Sequence, residues 1–336
     1  MKDTYGRKID YLRISLTDRC NLRCLYCMPA EGIPQVPHEA ILTYDEIIEL
    51  VRVAASIGIH HIRLTGGEPL VRKGIVPLVK AIHAIDGIKT ISMTTNGILL
   101  PKYAHDLKLA GLDRVNISLD TLDPARYHEI TRCGSFDAAV AGIKAALEEK
   151  LDPVKINAVA IRSLDQDFFA FARYTIDMPL HVRFIEYMPV GNSRGVDGCG
   201  WGADDVISCE EIIAIINQKA RDAGMQPLQP IDKDVPEGRG PARYYSFPGA
   251  KGTVGFISPL SNHFCSTCNR IRLTSEGMIR PCLFSDQEFD IRAALRHGDE
   301  GDVRSVLLNA LAAKPGEHHE GGHARATTVN MNTIGG

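Results

Sequence analysis

Three things are scarce in this sequence. No apolar run approaches the roughly 20 residues of a membrane-spanning helix, and Met1 to Asp10 lacks the apolar core of a secretory signal. A membrane association is therefore not expected, and a cytoplasmic location is. Charge of one sign is also scarce: 38 basic against 41 acidic residues leave a net charge of −3. That balance gives no global attraction to nucleic acid or an acidic membrane, so neither is expected as a partner, and any anion site must be built locally from Arg and Lys. Paired cysteines are the third absence, because nine is an odd number and leaves no complete disulfide set.

What is present is an ordinary globular composition, 44% hydrophobic and 24% charged. The length of 336 residues suits one large α/β domain, alone or with a smaller addition. Six cysteines fall in two tight sets, Cys20/Cys24/Cys27 and Cys265/Cys268/Cys282. In a reducing compartment such sets read as metal ligands. Cys133, Cys199 and Cys209 are scattered and read as buried or incidental thiols.

The first two-thirds alternates strand-like and helical stretches. Strands are expected at Tyr11–Leu16, His61–Thr65, Lys89–Thr94, Arg114–Leu119, Val154–Ile161 and His181–Tyr187. Helices are expected at Tyr44–Ile57, Gly74–Ile85, Lys102–Ala110, Phe136–Glu149, Phe168–Ile176 and Cys209–Ala223, the first opened by a capping box of Thr43 and Glu46. Six βα units predict parallel strands in an open sheet or a partial (βα)6 barrel, and periodicity does not separate the two. After Gly224 the pattern breaks: Gln226–Pro241 holds four prolines and two glycines. This predicts an α/β body over 1–224 and a cysteine-bearing segment over 225–336, with a tail rich in Gly and His.

The first cysteine set, Cys20-x₃-Cys24-x₂-Cys27, lies in the loop after the first strand, where α/β folds put their chemistry. Three thiolates on a four-iron cluster leave one iron open to a ligand. Zinc completed by a distant His or Cys also fits the spacing. CxxxCxxC with an aromatic before its last cysteine (Tyr26) is the signature of the radical S-adenosylmethionine superfamily, which the chain resembles. Gly66-Gly67-Glu68-Pro69 follows the second strand as that superfamily's methionine-binding turn does. Glycines there would let backbone approach a ligand closely.

The second set, Cys265-x₂-Cys268-x₁₃-Cys282, again offers three thiols, and a Cys₃His zinc site with His263 or His297 fits its spacing equally. Asn269-Arg270-Ile271-Arg272 alternates like a strand, which puts both arginines on one face beside the cysteines. Arg13, Arg63, Lys155 and Arg183 each interrupt an apolar strand. Buried charge needs a partner, so these four imply an interior that takes up a polyanion such as a triphosphate.

Taken together, the N-terminal cluster motif, the C-terminal three-cysteine set with Arg-x-Arg, and the final Gly335-Gly336 resemble the GTP 3′,8-cyclases of molybdenum cofactor biosynthesis over nearly the whole chain. The resemblance implies two [4Fe-4S] clusters, S-adenosylmethionine as cofactor and GTP as substrate. It also implies a 5′-deoxyadenosyl radical that takes the 3′ hydrogen of GTP, ring closure to C8, and 3′,8-cyclo-7,8-dihydro-GTP as product. Carried over by motif, Tyr26, Gly67, Ser118 and Met188 would contact S-adenosylmethionine. Arg13, Arg63, Thr94, Lys155, Arg270, Ile271 and Arg272 would contact GTP, with Arg183 a looser match. Gly335 and Gly336 would reach back to the active site. Implied partners are cyclic pyranopterin monophosphate synthase as product acceptor and flavodoxin or ferredoxin as electron donor, with the chain a monomer or homodimer. The stretch His318–His323 reads as a solvated loop.

Overall fold

In the computed structural model, residues 1–34, 36–188, 202–233, 235–237 and 240–317 are described. Cys199, His318–His323, Gly335 and Gly336 lie outside them. The strands show why the fold is what it is. In β1 (Tyr11–Ser15) and β2 (His61–Thr65), Leu12, Ile14, Ile62 and Leu64 alternate with Tyr11, Arg13, His61 and Arg63. The same alternation runs through β3 (Thr90–Thr95), β4 (Arg114–Ser118), β5 (Lys155–Ala160) and β6 (His181–Glu186). Period-two alternation sends the aliphatic set to one side of the sheet and the polar set to the other. Ile91, Met93, Val115, Ile117, Ile156, Val182 and Phe184 join a single buried core.

Helices cover that aliphatic side. α1 (Tyr44–Ser56) starts from the expected capping box, with both the Thr43 and Glu46 side chains in place. α2 (Ile75–His83), α3 (Leu100–Leu109), α5 (Phe136–Glu148), α6 (Phe168–Asp177) and α7 (Cys209–Asp222) match the expected helices, and each puts apolar residues into the same core. α3 starts two residues earlier than its sequence suggests, because Pro101 sits in the first turn, where its missing N–H costs nothing. The sequence reading lacked α4 (Pro124–Thr131), a short helix capped by Asp123 with Pro124 in its first turn.

The six strands run parallel in the order β1-β2-β3-β4-β5-β6. The segment after Gly224 extends both edges of that sheet. β7 (Gln229–Pro230), β8 (Arg243–Ser246) and β9 (Thr253–Ile257) add to β6, with β9 parallel to it. β10 (Arg270–Leu273), β11 (Met278–Arg280) and β12 (Phe289–Asp290) add to β1, with β10 parallel and Arg13 opposite Arg272. α8 (Arg292–His297) and α9 (Glu300–Ala312) close the described chain on the outer side, against α1. The result is an open partial barrel, helices outside and a polar concave face inside. No helix among the described residues is long and apolar enough to cross a membrane.

α5 packs closely where it crosses the turn after β3. A Cβ on Gly142 would stand 2.1 Å from the Gly97 carbonyl oxygen. Gly142→Ala is therefore expected to destabilise the protein by about 1–3 kcal/mol, outweighing alanine's ~1 kcal/mol advantage in helix propensity. A denaturation midpoint equal to that of the parent chain would show that α5 can simply move away.

Candidate active site

The chain leaves β1 into the loop of Cys20, Cys24 and Cys27. Its own main chain folds this loop: the Cys27 and Met28 amides donate to the Cys24 carbonyl at 2.9 and 3.2 Å. α4 braces it from the side. The Arg23 and Leu25 amides donate to the carbonyls of Thr131 and Ile130, while the Arg132 guanidinium donates to those of Arg23 and Met28. All three thiols line one cavity. Burial pushes Cys20 up to about 11 and Cys27 up to about 12, and raises Cys24 well above the ordinary range. Such thiols give up their protons when metal takes their place. Among the described residues no group of three His, Cys, Asp or Glu converges as for a single ion. Three thiols set around a cavity wall suit the wider body of a four-iron cluster.

The turn after β2 is held against that loop. The Gly67 amide donates to the Thr17 carbonyl and the Glu68 amide to that of Arg19, both at 2.8 Å. A Cβ on Gly67 would lie 2.4 Å from the Arg19 oxygen, and one on Gly66 (φ +142°) 2.5 Å from the Thr17 oxygen. The close approach that requires glycine is thus to the cysteine loop itself, a nearer cause than the ligand contact expected from sequence. Glu68 fixes the turn to the end of β3, its buried carboxylate accepting from Leu70 and Asn96 amides and the Thr95 hydroxyl at 2.7–3.0 Å. Burial raises this carboxyl to about 7 against the pull of those donors.

Gly67, Ser118, Met188 and Tyr26 line the same cavity as the three thiols. The Tyr26 hydroxyl donates to Asp120 at 2.6 Å, and the Val159 amide donates to the other oxygen at 2.9 Å. Burial lifts Asp120 to about 6, and burial with the adjacent carboxylate drives the Tyr26 phenol well up.

A second cavity opens beside the first. Arg13, Arg63, Thr94, Lys155, Arg183, Arg270 and Arg272 line it together with Cys265, Cys268 and Cys282. The two cavities share Thr94, Asn157, Ile185 and Met188, so they meet at the ends of β3 and β6 and the middle of β5. Register explains the cation row: Arg272, Arg13 and Arg63 are neighbours across β10, β1 and β2. Arg63 donates to the Thr94 hydroxyl at 3.2 Å and to the Tyr11 hydroxyl, and Arg183 donates twice to Asn157. Burial raises the Tyr11 phenol, but Arg63 and Arg13 more than reverse that, down to about 8. Burial and mutual repulsion press on Arg13, Arg183 and Arg272. A guanidinium keeps its proton regardless, so the pressure is stored as electrostatic tension that an anion relieves. Arg270 Nε and Asn116 Oδ1 are buried in this wall without a hydrogen-bond partner among the described residues.

Every described site residue expected from sequence lines one of the two cavities except Ile271. Its side chain is fully buried in the core on the opposite face of β10, so a contact with ligand is left to its main chain. Sequence reasoning missed Tyr11, Asn116, Asn157, Asp120, Phe264 and Lys314, all of which line the cavities. For Asn157 and Asn116 a signal existed, since each lies two residues from an expected site residue and so on the same strand face.

Similarity to known proteins follows the same two halves. Residues 14–174 match the model of the Radical SAM superfamily, and residues 180–320 that of Molybdenum Cofactor Synthesis C. The chain is 49% identical over 340 aligned positions to the GTP 3′,8-cyclase of Pelotomaculum thermopropionicum, covering 100% of both. It is 50% identical to that of Heliobacterium modesticaldum, over 95% of this chain and 94% of the other. Among solved structures, Streptococcus suis SuiB bound to S-adenosylmethionine aligns with a TM-score of 0.56 at 16% identity. That alignment covers 89% of this chain and 68% of SuiB and supports the fold alone.

Lys155 supplies a test of the anion reading. Burial, then Arg183, Arg114 and Arg63, hold its ammonium down at about 6. It is therefore neutral at pH 8 in the free cavity, and a bound polyanion restores its charge. Binding of inorganic tripolyphosphate at pH 8 is expected to take up about one proton, and affinity to fall as pH rises above about 6, by at most tenfold per unit. Calorimetry in buffers of different ionisation enthalpy reads the uptake, and Lys155→Met should abolish it. Equal proton uptake by the parent chain and by Lys155→Met would mean that Lys155 is already charged.

Proposed function

Since the chain belongs to the radical SAM superfamily and, within it, to the GTP 3′,8-cyclase family, we infer that its joined cavities carry out that cyclisation in molybdenum cofactor biosynthesis. The enzyme uses two [4Fe-4S] clusters and S-adenosylmethionine. The observation that carries the reading is the shared wall of Thr94, Asn157, Ile185 and Met188 between a thiol-lined cavity and a thiol-and-cation-lined one. The bound cofactor supplies one-electron cleavage and a carbon radical able to take a hydrogen atom.

The protein's contribution is position and charge. Cys20, Cys24 and Cys27 would hold the first cluster, and Tyr26, Gly67, Ser118 and Met188 would contact the cofactor. Cys265, Cys268 and Cys282 would hold the second cluster, which would supply an iron without a thiolate ligand for the guanine. Arg13, Arg63, Lys155, Arg183, Arg270 and Arg272 take the triphosphate, Thr94 stands at the junction, and Ile271 contributes through its main chain. Glu68 keeps the methionine-binding turn and the end of β3 in one frame. Residues 1–224 are read as the radical SAM body and 225–336 as the second-cluster segment; strands β7 to β12 of the latter continue the sheet of the former. The enzyme works in the cytoplasm as a monomer or homodimer, takes electrons from a flavodoxin or ferredoxin, and passes product to cyclic pyranopterin monophosphate synthase.

Under anaerobic reduction with S-adenosylmethionine, GTP should yield 5′-deoxyadenosine and a cyclised nucleotide, with ATP a much poorer substrate. Equal turnover of ATP would contradict guanine recognition at the second cluster. The combined changes Cys20→Ala, Cys24→Ala and Cys27→Ala should leave about half the iron and no cofactor cleavage. Deleting Gly335 and Gly336 should leave iron content and GTP binding in place, with some uncoupled cofactor cleavage, while the yield of cyclised nucleotide falls sharply. Product formation at the full-length rate would make the diglycine an ordinary terminus.

A further inference from the structure

The first residues of the chain form a small hook. Lys2 bridges to Lys8, and the Asp3 carboxylate accepts from the Tyr5 and Arg7 amides and from Arg7 Nε at 2.6 Å. This aims the Arg7 guanidinium inward. One of its terminal nitrogens donates to the Cys265 carbonyl at 2.8 Å and to that of Gly316 at 3.0 Å, and the other to that of Pro315 at 2.7 Å. At the far end of the chain, just after α9, Lys314 is 3% exposed. Its ammonium donates to the Arg270 and Pro281 carbonyls, both at 2.8 Å. Arg270 follows Cys268 by two residues, and Pro281 precedes Cys282 directly.

We propose that Arg7 and Lys314 are positioning residues for the second cluster, two buried cations that clasp the three short segments carrying Cys265, Cys268 and Cys282. The proposal rests on the reading of those cysteines as cluster ligands. Its physical basis is geometric. The three cysteine segments are a 3₁₀ turn, the entry to β10 and the exit from β11, which no single element unites. Arg7 grips the first, and Lys314 grips the other two across 33 and 44 residues of sequence. Pro315 and Gly316 join the two grips, since Arg7 holds the residues that immediately follow Lys314.

Charge adds to geometry. A cluster with three thiolate ligands is anionic, and more so when reduced. Fixed positive charge beside it favours both assembly and reduction. Burying a cation without a counter-charge is costly. Arg7 has the Asp3 carboxylate as its counter-charge, whereas Lys314 donates to two carbonyls and would find its counter-charge in the anionic cluster at the cavity it lines.

The test uses the full chain carrying Cys20→Ala, Cys24→Ala and Cys27→Ala, which isolates the second cluster. Into it go Lys314→Met and Arg7→Met, which keep bulk and remove charge, and Lys314→Arg and Arg7→Lys, which keep charge. Iron per chain, the electron paramagnetic resonance signal of the reduced protein and its reduction midpoint are read after anaerobic reconstitution. The Met variants should lose more than half of the remaining iron, or keep it with a changed signal and a lower midpoint. The charge-conserving variants should recover most of what is lost. Parent-like iron, signal and midpoint in both Met variants would overturn the proposal. So would loss of the first cluster along with the second when Lys314→Met is placed in the chain with all its cysteines. If a Met variant loses its circular dichroism, its charge-conserving counterpart decides, and recovery of fold without cluster also overturns the proposal. A control that adds Cys265→Ala, Cys268→Ala and Cys282→Ala to the chain already lacking Cys20, Cys24 and Cys27 should hold no iron; iron persisting there would refute the ligand assignment on which the clasp rests.

Discussion

Everything in this protein depends on the fact that the concave face of its sheet cannot be made dry. Parallel strands in α/β proteins are usually apolar on both faces. Here one face packs under helices while the other carries Arg13, Arg63, Arg114, Lys155, Arg183, Arg270 and Arg272. So many cations cannot be desolvated together without a counter-charge. The sheet therefore curves around a space rather than a core, and the barrel stays open. An aliphatic interior would have closed it and left no room for chemistry.

The division of that space follows from strand ends. The cysteine loop and the glycine turn occupy the carboxyl ends of β1 and β2, while the cations sit deeper: Arg13, Arg63, Arg183 and Arg272 at mid-strand, and Arg114, Lys155 and Arg270 at strand starts. Ligand sites outside the carboxyl ends of parallel strands are a general property of such sheets. What is particular here is a second set of thiols brought to the same mouth by strands from the far end of the chain. The two thiol-lined cavities then meet at Thr94, Asn157, Ile185 and Met188, so they form one joined space. A transient carbon radical is best used when cofactor and substrate are bound in one joined space, because positioning then replaces a diffusive encounter.

Much of this was legible in the residues. The six parallel strands lie within a residue of their expected bounds, because alternation between aliphatic and polar positions leaves little freedom of register. The two cysteine sets and the interrupting arginines were visible for the same reason: each is a local violation of an otherwise apolar or reducing background. α4 was not seen, although Asp123 and Pro124 mark its start, because eight residues are too few for a clear periodic signal. Nor could sequence show that Gly66 and Gly67 are required by the Thr17–Arg19 backbone, or that β9 and β10 would add to opposite edges. Those are properties of chain segments that meet only after folding. Ile271 was singled out by resemblance, yet its side chain belongs to the core, as alternation with Arg270 and Arg272 dictates.

The pairing of β10 with β1 has a consequence for how the protein is made. Tyr11 finds its partner in Arg270, so during synthesis the first strand waits for nearly the whole polypeptide before one of its edges is covered. An exposed parallel edge is a template for unwanted pairing, and contacts of such long sequence separation form late. A nascent or truncated chain can complete the first cysteine loop and its α4 brace well before the second set of thiols exists. Chain synthesis thus imposes an order on maturation: the cofactor-cleaving half becomes structurally possible first, and the half that gives its radical a target is finished last.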